Sequence, residues 1–173
     1  IKSEALSMAN TIKDSIQTRK VAILAADGVD GKSLSEVKAA IEAAGGVTEI
    51  LAPRLGYLTS ANDDKIHVDE SLLGAASVLF DAVYIPGGLN SVATLEADAD
   101  AVHFLNEAFK HCKAIAADEQ ALQVLEATYF SKKMESDEGV IVSGDAAQLA
   151  TSFIEAIKLH RFWEREKPRK IPA

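Results

Sequence analysis

Cysteine occurs once in 173 residues, at Cys112, which excludes an internal disulfide and a multi-cysteine metal site. Basic residues are in deficit too: 18 Lys and Arg against 26 Asp and Glu leave a net charge of −8. Nucleic acids and anionic membranes call for a basic surface, so neither is expected as a partner. No apolar run approaches a membrane span, and there is no secretory signal pattern. Internal repeats and low-complexity stretches are also missing. The first residue is Ile1 rather than methionine, so a piece processed or excised from something longer is expected, with its compartment left open.

What is present is globular. Hydrophobic residues make up 48% and charged residues 25% of the chain, enough for one domain with its own core. KVAILAA from Lys20 is a short apolar run of the buried-strand kind. Leu34, Val37, Ile41 and Ala44 follow at helical spacing, and Gly45-Gly46 stops that helix. VTEILA predicts a second strand, GYLTS and KIHV a small hairpin, and Leu72 to Ala76 a short helix. FDAVYIPGG is the clearest strand-to-turn signal. Residues 98–111 predict a helix with Val102, Leu105, Phe109 and Cys112 on one stripe. KAIAA, DEQALQVLEA and GVIVS predict strand, helix and strand. A long helix is expected from about Asp145 to Arg161, with Asp145 and Gln148 at capping-box spacing. Residues 1–19 are polar, with Leu6, Ala9, Ile12 and Ile16 spaced to suit a modest amphipathic helix or a linker that packs on something. Alternating strands and helices imply an α/β sandwich of flavodoxin-like type with a parallel sheet in the order 2-1-3-4-5.

The stretch AADGVDGKS, between the first strand and its helix, invites a phosphate-loop reading. Gly31, Lys32 and Ser33 match the pattern, but Ala26 replaces its first glycine. Asp27 and Asp30 also stand where amides should face phosphate, and a carboxylate about 5 Å from a phosphate charge costs roughly 3 kcal/mol at an effective dielectric near 20. A turn at Gly28 and Gly31, with Ser33 and Glu36 as a capping box, explains the same letters.

Other candidates carry weaker signals. Gly87 and Gly88 end a central strand, where open α/β sheets bind ligands; they serve either an oxyanion hole or a tight turn. Asp118 and Glu119 complement the dipole of the following helix. His103, Glu107 and His111 share a helix face, but over two turns, too long for one metal ion. Cys112 reads as a core hydrophobe. RFWEREKPRK is a basic, aromatic end on an acidic chain: either a frayed helix terminus or a docking segment in which Arg161, Phe162 and Trp163 make the contacts.

AVYIPGG followed by AIAADEQAL resembles the class I glutamine-amidotransferase-like superfamily, which includes PfpI-type proteases and chaperone relatives. The resemblance implies a cysteine at the position of Ala116, an acid at about Ser33 and an oxyanion turn at Gly87 and Gly88. The nucleophile and acid letters are absent, so catalytic residues, hydrolase or deglycase activity are not expected. RKVAILAADGVDGKSL, DAVYIPGG, EAFKHCKAIAAD and HRFWEREKPRKIPA are similar, more closely, to the C-terminal domain of large-subunit haem catalases. That likeness implies a parent tetramer that disproportionates hydrogen peroxide with haem held outside these residues, and no cofactor or metal here. Tyr57, Tyr84 and Tyr129 fit core or loop positions, and no haem-ligating tyrosine motif is found. The organisation expected is a connector over 1–18, a domain over 19–160 and a docking tail over 161–173. The role implied is a stability or chaperone-like module, whose partners are the catalase body, neighbouring subunits and unfolded clients, with a purely architectural role as the alternative.

Overall fold

A computed structural model describes residues 14–169. Most of the expected connector, with Leu6, Ala9 and Ile12, and the last four residues lie outside the described residues. β1 (Lys20–Leu24) forms because the four residues from Val21 to Leu24 bury both faces, as a central parallel strand must. Its neighbours are β2 (Val47–Ala52) and β6 (Ala82–Ile85), followed outward by β7 (Ala114–Asp118) and β8 (Val140–Ser143). Counted along the sheet, these five strands follow the expected order, all parallel. A sixth, unforeseen strand, β5 (Glu70–Ser71), pairs with β2 at the edge. Two polar residues are too short to show a periodic signal. The hairpin of β3 (Gly56–Thr59) and β4 (Lys65–Val68) forms separately, antiparallel as expected.

Side-chain alternation divides the core into two layers. Val21, Ile23, Tyr84, Ala114 and Ala116 face α1 (Gly31–Ala43) and α5 (Ala146–Lys158). Ala22, Leu24, Val83, Ile115 and Ala117 face α2 (Leu89–Ala97), α3 (Ala99–Lys110) and α4 (Leu122–Glu126). This is a three-layer, flavodoxin-like sandwich.

Several local expectations are revised. α1 starts at Gly31 and is capped by Asp30, whose carboxylate accepts from the Lys32 and Ser33 amides; Ser33 therefore sits inside the first turn, and the Ser33/Glu36 capping box does not form. The short helix at 72–76 is replaced by turns leading into a 3-10 segment, Ser77–Leu79. α2 is an addition to the expected elements: it begins at Gly88, which has no side chain to signal a cap, and only Asp98 separates it from α3. α3 stops at Lys110, leaving buried Cys112 beyond it with φ 60°. α5 ends at Lys158 rather than Arg161, because His160 takes φ 66° and turns the chain.

Candidate functional site

The carboxyl ends of β1, β6 and β7 are where this sheet type places its chemistry. The loop after β1 and the turn after β6 meet through glycine. A Cβ on Gly88, which has φ 108°, would stand 2.3 Å from the Gly28 carbonyl oxygen and 2.7 Å from the Asp30 nitrogen. No other residue fits that approach. The Asp30 amide donates to the Gly87 carbonyl at 2.9 Å, tying the two loops together.

The phosphate-loop reading fails on donors as well as charge. Gly28 donates to Thr59, Val29 to Ala26, Asp30 to Gly87 and Leu34 to Asp30. The amides of Lys32 and Ser33 point at the Asp30 carboxylate. Asp27, awkward beside a phosphate, serves the fold instead. It accepts from the Thr59 amide and the Arg54 guanidinium, both at 2.9 Å, and so pins the hairpin to the loop.

The Gly87-Gly88 turn is likewise occupied. The Gly88 amide donates to Gln120 Oε1 at 3.0 Å, and a Cβ on Gly87 would meet Asp118 Oδ1 and Gln120 Oε1 at 2.9 Å each. An oxyanion hole needs that amide aimed at a developing charge; here a side-chain carbonyl holds it. Sequence reasoning missed Gln120, and no local pattern marks it. Asp118, expected as a first-turn acid, is the last residue of β7 and receives the Gln120 amide at 2.9 Å.

Ala116 lies inside β7, fully buried, in register with Tyr84. The strand runs two residues further, and no residue from 113 to 120 has the positive φ of a nucleophile elbow. The methyl group faces α1 and α5, packed in the same layer as Tyr84, Leu149 and Phe153. Ser33 donates its hydroxyl to Asp30 Oδ2 at 2.8 Å, so Asp30, not Ser33, is the acid beside the glycine turn. Burial, with Asp118, Asp30 and Glu36 nearby, pushes the Tyr84 phenol up, so it stays neutral.

His103 is exposed on the outer face of α3 and His111 just past its end, where His111 Nε2 lies 3.3 Å from Glu107 Oε2. The Lys110 ammonium, aided by the two histidines and opposed by burial, holds the Glu107 carboxyl below its usual range. Among the described residues no group of three or more His, Cys, Asp or Glu side chains is placed to hold a metal ion, and no helix is long and apolar enough to cross a membrane. The same α3 face borders a groove of about 290 Å³ shared with Leu72, Leu73 and Val78.

The expected docking residues turn toward their own domain. Phe162 donates its amide to the Cys112 carbonyl at 2.8 Å and packs against the α1/α5 layer. Arg161 approaches Asp81 at 3.7 Å, and Trp163 is half-buried at the start of a 3-10 segment, Trp163–Arg169. The anchor is Arg165, which carries no distinguishing signal in the sequence. Its side chain is 5% exposed. Nε and one terminal nitrogen grip Asp137 at 2.8 and 2.7 Å, while the other donates to the Lys113 carbonyl at 2.7 Å. The guanidinium also lies over the Phe109 ring at 4.2 Å.

A parallel six-strand sheet between two helical layers, with a Gly-Gly turn over its central strands, defines a protein of the DJ-1/PfpI-like structural class. A two-domain protein from Anabaena variabilis containing DJ-1/ThiJ/PfpI-like and ferritin-like domains matches at TM-score 0.60 and 27% identity, over 63% of this chain and 33% of that one. The chain belongs to the family described as the C-terminal domain found in long catalases, whose profile matches residues 17–167. Its relatives include catalase HPII of Pseudomonas aeruginosa, 37% identical over 99% of this chain and 24% of the relative. Catalase HPII of Mycobacterium avium is 36% identical over 99% and 26%, and catalase-2 of Bacillus subtilis 34% over 94% and 23%. The chain thus spans about a quarter of the length of these curated relatives.

Proposed function

We propose that this domain performs no catalysis and acts as a stability or chaperone-like module of a long catalase, with the peroxide chemistry and the haem in the part of the parent outside these residues. The observation that carries the reading is the closed end of β7. Asp118, the last strand residue, accepts the Gln120 amide, the Gly88 amide is bonded to Gln120, and Ala116, the position to which the resemblance assigns the nucleophile, is a buried methyl group inside the strand. Replacing an essential nucleophile costs many orders of magnitude in rate, so hydrolase or deglycase turnover is disfavoured.

An uncharged segment, residues 71–80, supports a binding role. Within it Leu73, Val78 and Leu79 are 82%, 74% and 57% exposed on an otherwise acidic chain. Apolar surface rimmed by charge holds apolar chains while the net charge keeps the pair soluble. The decisive measurement is light scattering from a heated client enzyme with and without the 173-residue chain. Suppression beyond that of an inert protein of equal charge is expected, and Leu73→Ser with Val78→Ser and Leu79→Ser should reduce it. Suppression no better than the inert protein removes the chaperone-like role.

The purely architectural alternative rests on the same strip seating against the catalase body or a neighbouring subunit of the parent tetramer, since Arg161 and Phe162 are already engaged within the domain. In the full-length parent the triple Ser variant should then lower the melting temperature of the oligomer. Unchanged melting would count against it.

A further inference from the structure

At the opposite pole of the sheet, the amino ends of β1, β6 and β7 gather charge that nothing in the closed rim explains. Asp81 precedes β6, and its Oδ2 accepts the Lys20 amide at 2.9 Å. Its Oδ1 is approached by Arg19, His160 and Arg161 from two separate segments, each nitrogen at 3.7 Å. That is ion-pair range but beyond a hydrogen bond. Arg161 spends one bond on the His160 carbonyl at 2.9 Å. Lys113, buried just before β7, bonds the Ser77 carbonyl. Two permanent cations and an imidazole therefore share one carboxylate oxygen, on a chain of net charge −8. Burial, and after it the Arg161 charge, holds the Lys113 ammonium down to about 8.

We propose that Arg19, Arg161 and His160 form an oxyanion-binding site at this pole, with a carboxylate or phosphate group as the ligand class. Two guanidinium forks with donors to spare, converging with an imidazole within a few ångströms, match the geometry by which arginine takes planar or tetrahedral oxyanions. The side chains of Arg19 and Arg161 are 22% and 15% exposed, so the donors are sheltered yet open to solvent. Asp81 orients the donors and opposes the ligand at the same time. An exchange to Asn keeps the oxygen that receives the Lys20 amide and removes the opposing charge.

The test is a titration of the 173-residue chain with inorganic phosphate, and separately with a short glutamate peptide, reading the imidazole proton resonances by NMR at constant ionic strength. A saturable shift of His160 is expected, weakened about tenfold by R161Q or by R19Q, and strengthened about tenfold by D81N. A merely structural cluster would not bind more tightly after D81N. Saturation by phosphate alone assigns a free anion, and saturation by the peptide alone an acidic segment; either supports the site. Shifts that sodium chloride reproduces, or that R19Q leaves unaltered, overturn it. R19Q changes only the more exposed arginine, so the test does not depend on R161Q folding.

Discussion

At Ala116 and Tyr84, two residues paired across β7 and β6, size is shared between neighbours: a methyl group lies beside a phenol in one buried layer. Ala116→Cys would therefore restore the letter without the chemistry. Its thiol should react with an aromatic disulfide reagent no faster than the chain opens, and rapid stoichiometric labelling of the folded protein would contradict this. His160 tests a second residue-scale point. Burial, with Arg161 and Arg19 beside it, pushes its imidazole down to about 4, while Asp81 pulls weakly the other way. The unfolded chain then binds a proton near pH 6.5 that the folded chain refuses until about pH 4. Stability from this group is present above pH 6.5 and lost as pH falls to about 4, by up to ~3 kcal/mol. His160→Asn, which tolerates the positive φ, should flatten the denaturation midpoint across that window. An unchanged slope would show that other groups set it.

At the scale of elements, caps and clasps decide where helices begin and how the chain end is held. Asp98 closes α2 and opens α3, accepting from the Asp100 and Ala101 amides at 2.9 and 3.0 Å. Asp98→Ala should cost about 1 kcal/mol in chemical denaturation. The Arg165 clasp holds more. Arg165→Ala leaves Asp137 without its bidentate partner in a partly buried setting and strips a cation from the Phe109 ring. A loss of about 3 kcal/mol is expected, with Asp137→Asn largely non-additive in a double-mutant cycle. Two independent losses that simply sum would dissolve the clasp.

For the molecule as a whole, the C-terminal segment belongs to the domain as much as to any interface. Removing residues 161–173 uncovers Phe109 and Cys112 and leaves Asp137 unpaired. The isolated chain should lose several degrees of melting temperature before any assembly effect is measured. A truncated chain that melts unchanged would return the segment to a purely intermolecular role. Leu73, Val78 and Leu79 stay exposed with that segment in place.

Much of this architecture is legible in the letters. Central strands buried on both faces are written as unbroken apolar runs, and KVAIL, AVYI and AIAAD are readable for that reason. β5 and α2 are not, because two polar residues carry no period and a glycine N-cap carries no side chain. Sequence alone settled the alternation of strand and helix, the lack of a reactive atom at Ala116 and the mismatch of an acidic loop with phosphate, because each depends on residue chemistry or on neighbours a few positions apart. Only the tertiary structure decided that Gln120 takes the Gly88 amide, that Asp30 rather than Ser33 caps α1, that Arg165 clasps Asp137, and that Arg19, His160 and Arg161 converge on Asp81. Most of these pairings join residues tens of positions apart, and a hydrogen bond is specified by where two groups meet in space, which no local pattern encodes.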